Sequence, residues 1–268
     1  MCQKFRRRIL TLKQQGITPG LAVVLVGNDS ASQIYVRNKQ LLCDKLGIKF
    51  HLKEFESGVS NDTLLREIKK LNKDIKIHGI ILQLPLPKKL NAFRLILAVN
   101  PAKDVDGLHP VNLGLLATGH PMFLPATPKG IIDLLDDYQI KLIGKHVVVV
   151  GFGQVVGMPL SLLLAHRQAT VTITHDATNN LKDFTKTADI LITAAGYPGL
   201  IKGSMIKKGA VVIDAGISKV GNKFVGDVDF ASVSSKASYV TPVPGGVGPM
   251  TVSALIDNVI KSAANFRL

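Results

Sequence analysis

Tryptophan is absent from this chain, and aromatic residues make up only 5% of it. Few side chains are therefore available to stack on nucleic-acid bases. Cysteine occurs twice, at Cys2 and Cys43, in no C-x-x-C or metal-ligand spacing. This argues against a disulfide framework and a bound metal, and for a reducing, cytoplasmic compartment. No apolar run reaches the ~18 residues needed to span a bilayer. The basic stretch Lys4 to Lys13 leads into no apolar secretory core. A soluble protein with no membrane partner is expected. Acidic residues are the scarce charge: 19 Asp and Glu stand against 33 Lys and Arg, a formal +14. The excess is scattered rather than blocked, so an anionic small molecule accounts for it better than nucleic acid.

Apolar residues, in contrast, are plentiful. At 46% of 268 residues they support a substantial core, in one large domain or two small ones. Strands and helices alternate. Residues 21–27, Lys49–Phe55 and 79–84 read as strands; Ser30–Leu46, 62–73 and 92–99 read as helices. Thr127 is placed as the N-cap, and Pro128 as the first residue, of a helix running to Tyr138. Strands follow at His146–Val150, Thr170–Thr174, 190–194 and Val211–Asp214, with helices at 158–166, 180–186, Gly203–Met205 and 250–264. The pattern predicts an α/β chain of two domains, each a mostly parallel sheet covered by helices. The boundary falls near Leu124. Residues 1–124, completed by a helix over 250–268, form the first domain; 125–249 form the second, which looks like a dinucleotide-binding half.

Several positions carry chemistry beyond the core. Tyr35 and Lys39 share one helix face, four residues apart. Either Lys39 is solvated, or it lies desolvated beside an aromatic wall and accepts a proton near neutral pH. Gln83 stands at the end of its strand, where ligands gather on parallel sheets, or it caps local backbone. Asp104 and Asp106 precede Gly107 in a turn, or one of them supplies a carboxylate for an amino-pyrimidine edge. Gly151, Gly153 and Gly157 follow a strand and precede a helix, one residue longer than G-x-G-x-x-G. Asp176 lies 25 positions after Gly151, where an acid can accept from a ribose hydroxyl. Residues 241–251 hold three prolines and three glycines, a specific backbone surface leading into a helix.

Together these segments resemble the bifunctional methylenetetrahydrofolate dehydrogenase/methenyltetrahydrofolate cyclohydrolase family. The matching pieces are Tyr35-Val-Arg-Asn-Lys39, Gln83-Leu-Pro-Leu-Pro87, Lys103-Asp-Val-Asp-Gly107, Thr127-Pro-Lys-Gly130, Val155-Val-Gly-Met-Pro159, Gly226-Asp-Val-Asp229 and residues 241–251. They run in family order along nearly the whole chain. The resemblance implies a folate-binding catalytic domain and a Rossmann-like cofactor domain. It implies that Lys39 is the acid/base, that Gln83 orients it, that Tyr35 packs on the pterin and that Asp106 anchors the pterin. Pro244, Gly245 and Gly246 contact substrate. Gly151, Phe152, Gly153, Val156, Gly157, Pro159, His175, Asp176, Ala195, Gly196 and Ile217 line the nicotinamide cofactor. Hydride leaves the methylene carbon of the folate; water then opens the methenyl cation to 10-formyltetrahydrofolate. A homodimer is implied as well.

The chain departs from the family pattern at Phe152 and Gly153, where Arg-Ser is usual, and at Asp176, where a hydroxyl residue is frequent. Loss of a phosphate-binding arginine and gain of a carboxylate both oppose a 2′-phosphate, so NAD is expected over NADP. Ala126 replaces a cysteine. The N-terminus reads about fifteen residues short of the family pattern, as if a first strand were missing. A monofunctional cyclohydrolase with decayed dehydrogenase activity, a shikimate-type dehydrogenase and a nucleic-acid-binding module are the alternatives.

Overall fold

The computed structural model describes residues 2–221 and 223–265, so the side chain of Cys2 and the last three residues of the helix expected over 250–268 lie outside the described residues. Two compact units are present, Met1–Ala126 with Val252–Leu268, and Thr127–Thr251.

The first unit opens on α1, Cys2–Gln14. Its buried residues, Phe5, Ile9 and Leu12, recur at i, i+4 and i+7. The basic N-terminal stretch is therefore the polar side of an amphipathic helix. There follow β1 (Gly20–Val26), α2 (Ser30–Leu46), β2 (Lys49–Phe55), α3 (Asn61–Lys73), β3 (Gly79–Leu82), α4 (Ala92–Ala98) and α5 (Pro110–Ala117). The three strands are parallel in the order β2-β1-β3. Successive side chains of β1 point to opposite faces. Leu21, Val23 and Leu25 pack with α1, α2 and, from the last helix, Leu255, Ile256 and Val259. Ala22, Val24 and Val26 pack with α3 and α4. A central strand buried on both faces needs no polar alternation, which is why this one reads as an unbroken apolar run. Each fully buried aliphatic side chain contributes about 1.5–3 kcal/mol.

The second unit contains α6 (Ala126–Asp137, whose first residue closes the first unit), β4 (His146–Val150), α7 (Gly157–His166), β5 (Thr170–Thr174), α8 (Leu181–Thr185), β6 (Ile190–Thr193) and β7 (Val211–Asp214). A hairpin of β8 (Ser218–Val220) and β9 (Lys223–Val225), then α9 (Phe230–Ser234), β10 (Tyr239–Val240) and α10 (Val247–Asn265) follow. Five parallel strands lie in the order β10-β7-β6-β4-β5. The division between the units falls inside α10.

Proline accounts for several corrections. Thr127 is not a cap, because α6 already begins at Ala126. Pro128 is its third residue, still among the first four N–H positions that have no helical acceptor. For the same reason α10 begins at Val247, with Pro249 third, rather than at residue 250. The strand over 79–84 stops at Leu82 ahead of Pro85, although Gln83 N–H still reaches the Val24 carbonyl at 2.9 Å. Gly203–Met205 is one turn of 3-10 helix.

The C-terminus of α3 is closed by a lysine from a distant segment. Lys103, 1% exposed, donates to the carbonyls of Leu71 at 3.2 Å and Asp74 at 2.8 Å. Burial pushes its pKa down, and the charge of Asp74 opposes that. Lys103→Met leaves two helix-end carbonyls without this donor. It should cost about 2–4 kcal/mol in urea unfolding followed by far-UV circular dichroism. A loss under about 0.5 kcal/mol would show that water replaces the ammonium group there.

Candidate active site

Asp29 starts α2 by accepting the Ser32 N–H at 2.8 Å, and Gly47 ends it in the left-handed conformation. The helix so placed carries Tyr35, Lys39 and Cys43 one turn apart on one face. Lys39 is buried, and its Nζ donates to Gln83 Oε1 at 2.8 Å. The other end of that amide is occupied as well: Gln83 Nε2 donates to the Leu84 carbonyl at 2.8 Å. The amide is therefore held in one orientation, with its oxygen toward the lysine.

Asp106 faces the same amine. Burial raises its pKa, Lys39 pulls it down and Asp104 pushes it up. Burial lowers the pKa of Lys39, which Asp106 opposes. Both groups are thus displaced toward their neutral forms, each restrained by the other's charge. The surroundings are apolar enough that burial, with Asp44 nearby, pushes the Cys43 thiol up to about 12. Tyr35 is partly buried, and that burial raises its pKa.

The Lys103–Gly107 segment separates structural from available groups. Lys103 is spent on α3. Asp104 accepts from the His109 N–H and from Asn112 Nδ2, both at 2.8 Å. Val105 is buried against Gly79, where a Cβ would come within 2.7 Å of its Cγ2. Gly107 has φ +72° and lies where a Cβ would meet the Pro125 backbone. The Val105 carbonyl is pinned by Asn258 Nδ2 at 2.8 Å. Of the two acids, only Asp106 keeps its carboxylate out of hydrogen bonds among the described residues. Lys103 and Asn258 were not legible as its supports, because their partners lie far off in sequence.

In the second unit Gly151 N–H donates to the Thr174 carbonyl at 2.8 Å, which sets the glycine turn beside the end of β5. The three glycines are not equivalent. Gly151 has φ +102°, and a Cβ there would lie 2.5 Å from the Ala194 carbonyl oxygen. A Cβ on Gly157 would lie 1.9 Å from the Gly151 oxygen. A Cβ on Gly153 would meet nothing within 4 Å, so that glycine faces open space. Val156 and Gly157 begin α7, and Pro159 is buried in its first turn. Phe152, His175 and Asp176 are exposed, and Asp176 accepts the Ala177 N–H at 3.1 Å. Ala195 and Gly196 follow β6, and Ser218 Oγ donates to the Gly196 carbonyl at 3.1 Å. Ile217 is exposed one residue before.

Residues 241–251 form a built turn. Gly246 N–H donates to the Pro242 carbonyl at 2.9 Å, Gly245 has φ +108°, and Val243–Pro244 is cis. Thr241 Oγ1 accepts the Asp214 N–H at 2.8 Å. Pro244 and Gly245 are exposed and Gly246 is half-buried. Two buried acids, Asp214 and, within the Gly226-Asp-Val-Asp229 motif, Asp227, support the loops after β6 and β7. Among the described residues no cluster of three or more His, Cys, Asp or Glu side chains could hold a metal. Nor is any helix there long and apolar enough to cross a membrane.

A doubly wound parallel sheet with a glycine turn at a helix N-terminus defines a dinucleotide-binding unit, and the other unit carries a desolvated helical lysine bonded to a glutamine at a strand end. The chain belongs to the tetrahydrofolate dehydrogenase/cyclohydrolase family: residues 1–106 match its catalytic domain, and residues 125–267 its NAD(P)-binding domain. It is 50% identical over 260 residues to the bifunctional protein FolD of Halalkalibacterium halodurans, covering 97% of this chain and 93% of the relative. The structure is similar to that of the bifunctional FolD enzyme of Campylobacter jejuni, with a TM-score of 0.95, 43% identity, and 98% and 94% of the two chains covered. It is also similar to the Trypanosoma brucei enzyme complexed with NADP and an inhibitor, with a TM-score of 0.94, 37% identity, and 98% and 93% covered. Membership of this family sets aside the shikimate-type and nucleic-acid alternatives.

The turn fits a nicotinamide dinucleotide. Gly151 and Gly157 allow close packing, and the open space at Gly153 admits a ligand against the backbone. Gly157→Ala should lower the thermal midpoint by at least ~4 °C, since the clash is with backbone and costs on the order of 2 kcal/mol or more. Gly153→Ala should leave it within ~1 °C. Equal midpoints for the two variants in thermal denaturation would contradict the assigned difference.

Proposed function

We propose that the chain oxidises 5,10-methylenetetrahydrofolate to the 5,10-methenyl cation with a nicotinamide cofactor and hydrolyses that cation to 10-formyltetrahydrofolate. The observation that carries the hydrolytic half is the buried 2.8 Å contact of Lys39 Nζ with Gln83 Oε1, with Asp106 beside it. The cofactor, when bound, supplies a hydride acceptor for the methylene carbon. Glycines 151, 153 and 157, with Val156, Pro159, His175, Asp176, Ala195, Gly196 and Ile217, would hold it.

The protein's own groups do the rest. Asp106, whose carboxylate takes no donor among the described residues, receives the amino-pyrimidine edge of the pterin through two hydrogen bonds. Tyr35 packs on the ring, and Pro244, Gly245 and Gly246 contact the substrate. Water adds to the methenyl carbon, and Lys39, in the neutral form that burial favours, takes the proton it sheds. Lys39 then gives that proton to N5 as the bond from carbon to N5 breaks, and, neutral again, takes the carbinol's hydroxyl proton as the formyl C=O forms. The net reaction of one cation and one water yields the formyl product and one proton, which Lys39 passes to solvent. Gln83 can offer the lysine only its oxygen, because its Nε2 is taken by Leu84. It therefore engages an N–H of Lys39 and leaves the amine lone pair for water.

NAD is the proposed cofactor over NADP. Phe152 offers no charge to a 2′-phosphate, and Asp176 adds a negative one. Because Asp176 is fully exposed, solvent screens it, and the missing arginine is the larger effect. We also propose that the enzyme works as a homodimer, which light scattering would test.

Lys39→Met should slow methenyl hydrolysis by about 10²–10⁴-fold, the range of one acid/base group. The wild-type rate should fall as pH drops through a lysine pKa below the ordinary 10.5, since protonation removes the lone pair. A flat profile with an active Lys39→Met enzyme would remove Lys39 from the chemistry. Reduction of NAD and NADP, measured side by side with the methylene substrate, should favour NAD by roughly tenfold or more in kcat/KM, and Phe152→Arg should narrow that ratio. Preference for NADP by the wild type would overturn the cofactor assignment. Reduction of neither, with hydrolysis intact, would leave a cyclohydrolase alone.

A further inference from the structure

We infer that Asp227 is a positioning residue for hydride transfer: its carboxylate holds the Ala195-Gly196-Tyr197 loop in the shape that receives the nicotinamide cofactor. This rests on the reading of Ala195 and Gly196 as cofactor contacts.

The loop leaves the end of β6 with three consecutive N–H groups and no strand to pair with. All three donate to one side chain. Ala195 and Gly196 reach Asp227 Oδ2 at 2.7 and 3.2 Å, and Tyr197 reaches Oδ1 at 2.8 Å. Asp227 is 0% exposed, whereas residues 195–197 are exposed on their outer side. The carboxylate thus grips the loop from beneath and leaves its outer surface free for a ligand. Three converging N–H donors are what a buried carboxylate needs, and its two oxygens supply acceptors for all three.

Asp227 is itself held from β7. Asp214 Oδ1 accepts the Asp227 N–H at 3.1 Å, and its Oδ2 accepts the Val228 N–H at 2.9 Å. Asp214 Oδ1 also takes Thr193 Oγ1 at 3.1 Å and the Gly216 N–H at 3.0 Å. The ends of β6 and β7 are thereby joined to the loop through two acids in series. Two glycines make room for them. A Cβ on Gly216 would lie 2.1 Å from the Asp227 carboxyl, and a Cβ on Gly226 would lie 2.0 Å from Asp214 Oδ2. Burial raises the Asp227 pKa with Asp214 adding to it, and the three N–H donors act against both. None of these groups belongs to the acid/base centre around Lys39, so the two activities respond differently.

Asp227→Asn keeps the shape and replaces one acceptor oxygen with an NH2 that cannot accept, so at least one loop N–H is orphaned. The expected result is a rise of about tenfold or more in KM for the nicotinamide cofactor. Methenyl hydrolysis should stay within about twofold of wild type, whereas general destabilisation would lower both activities together. Amide hydrogen exchange supplies a readout independent of catalysis. In the wild type without cofactor, the amides of 195–197 should exchange as slowly as those of β6 itself, and in Asp227→Asn they should exchange fast while β4 stays protected. A cofactor KM within twofold of wild type would overturn the proposal. So would fast exchange at 195–197 in the unliganded wild type, a result that stands even where the variant fails to fold. If the wild type reduces neither NAD nor NADP, the dehydrogenase reading fails, and exchange still decides whether Asp227 shapes the loop.

Discussion

A lysine amine withdrawn from water has to be met by an oxygen, and here that oxygen is supplied by Gln83. The requirement sets much of the first unit. It ties α2 to the end of β3, and it demands that the glutamine be anchored in turn, which the Leu84 carbonyl does. Asp106 must arrive on its own segment with a carboxylate to spare, and Lys103, Asp104 and Val105 spend their side chains holding that segment in place. A hydrophobic side chain at 39 would pack with less strain on the electrostatics. The retention of a buried amine beside a half-buried acid is the kind of arrangement in which desolvation and attraction oppose each other and leave a proton easy to move.

The second unit solves the same problem with the opposite charge. Its strands end in loops whose N–H groups have no ladder partner, and two buried carboxylates satisfy them. Glycine is the enabling residue at each step. At 151 and 157 it lets the turn close against β6 and α7; at 216 and 226 it admits the acids. At 153 nothing in the protein requires it, which separates space kept for a ligand from space needed for packing. One residue type thus serves two purposes within a single sheet edge, and only the coordinates of neighbouring atoms tell them apart.

Legibility followed the range of the interaction. The alternation of apolar runs with helical spacing was enough to place β2, α2, β4, β5 and β7 at their observed limits, because buried parallel strands and amphipathic helices carry their own period. Helix starts were misplaced where proline was read as a boundary, at α6 and α10, since proline is tolerated through the first turn. Helix α1 is obscured in the sequence because Lys and Arg crowd the positions around Phe5, Ile9 and Leu12. Tyr35, Lys39, Gln83 and Asp106 stood out through order and spacing. Asp214 did not, and Asp227 stood in its motif without a role, because a buried acid differs from a surface turn acid only in what surrounds it.

The amino-acid sequence by itself determined the two-unit α/β plan, the glycine turn after β4 and the residue types available for acid/base work. These depend on local periodicity and on side-chain chemistry. Tertiary structure alone decided that Lys39 is buried and bonded to Gln83, that Asp106 rather than Asp104 keeps a free carboxylate, and that Asp227 holds the loop after β6. Each of these depends on desolvation and on hydrogen bonds between segments that meet only when the chain has folded.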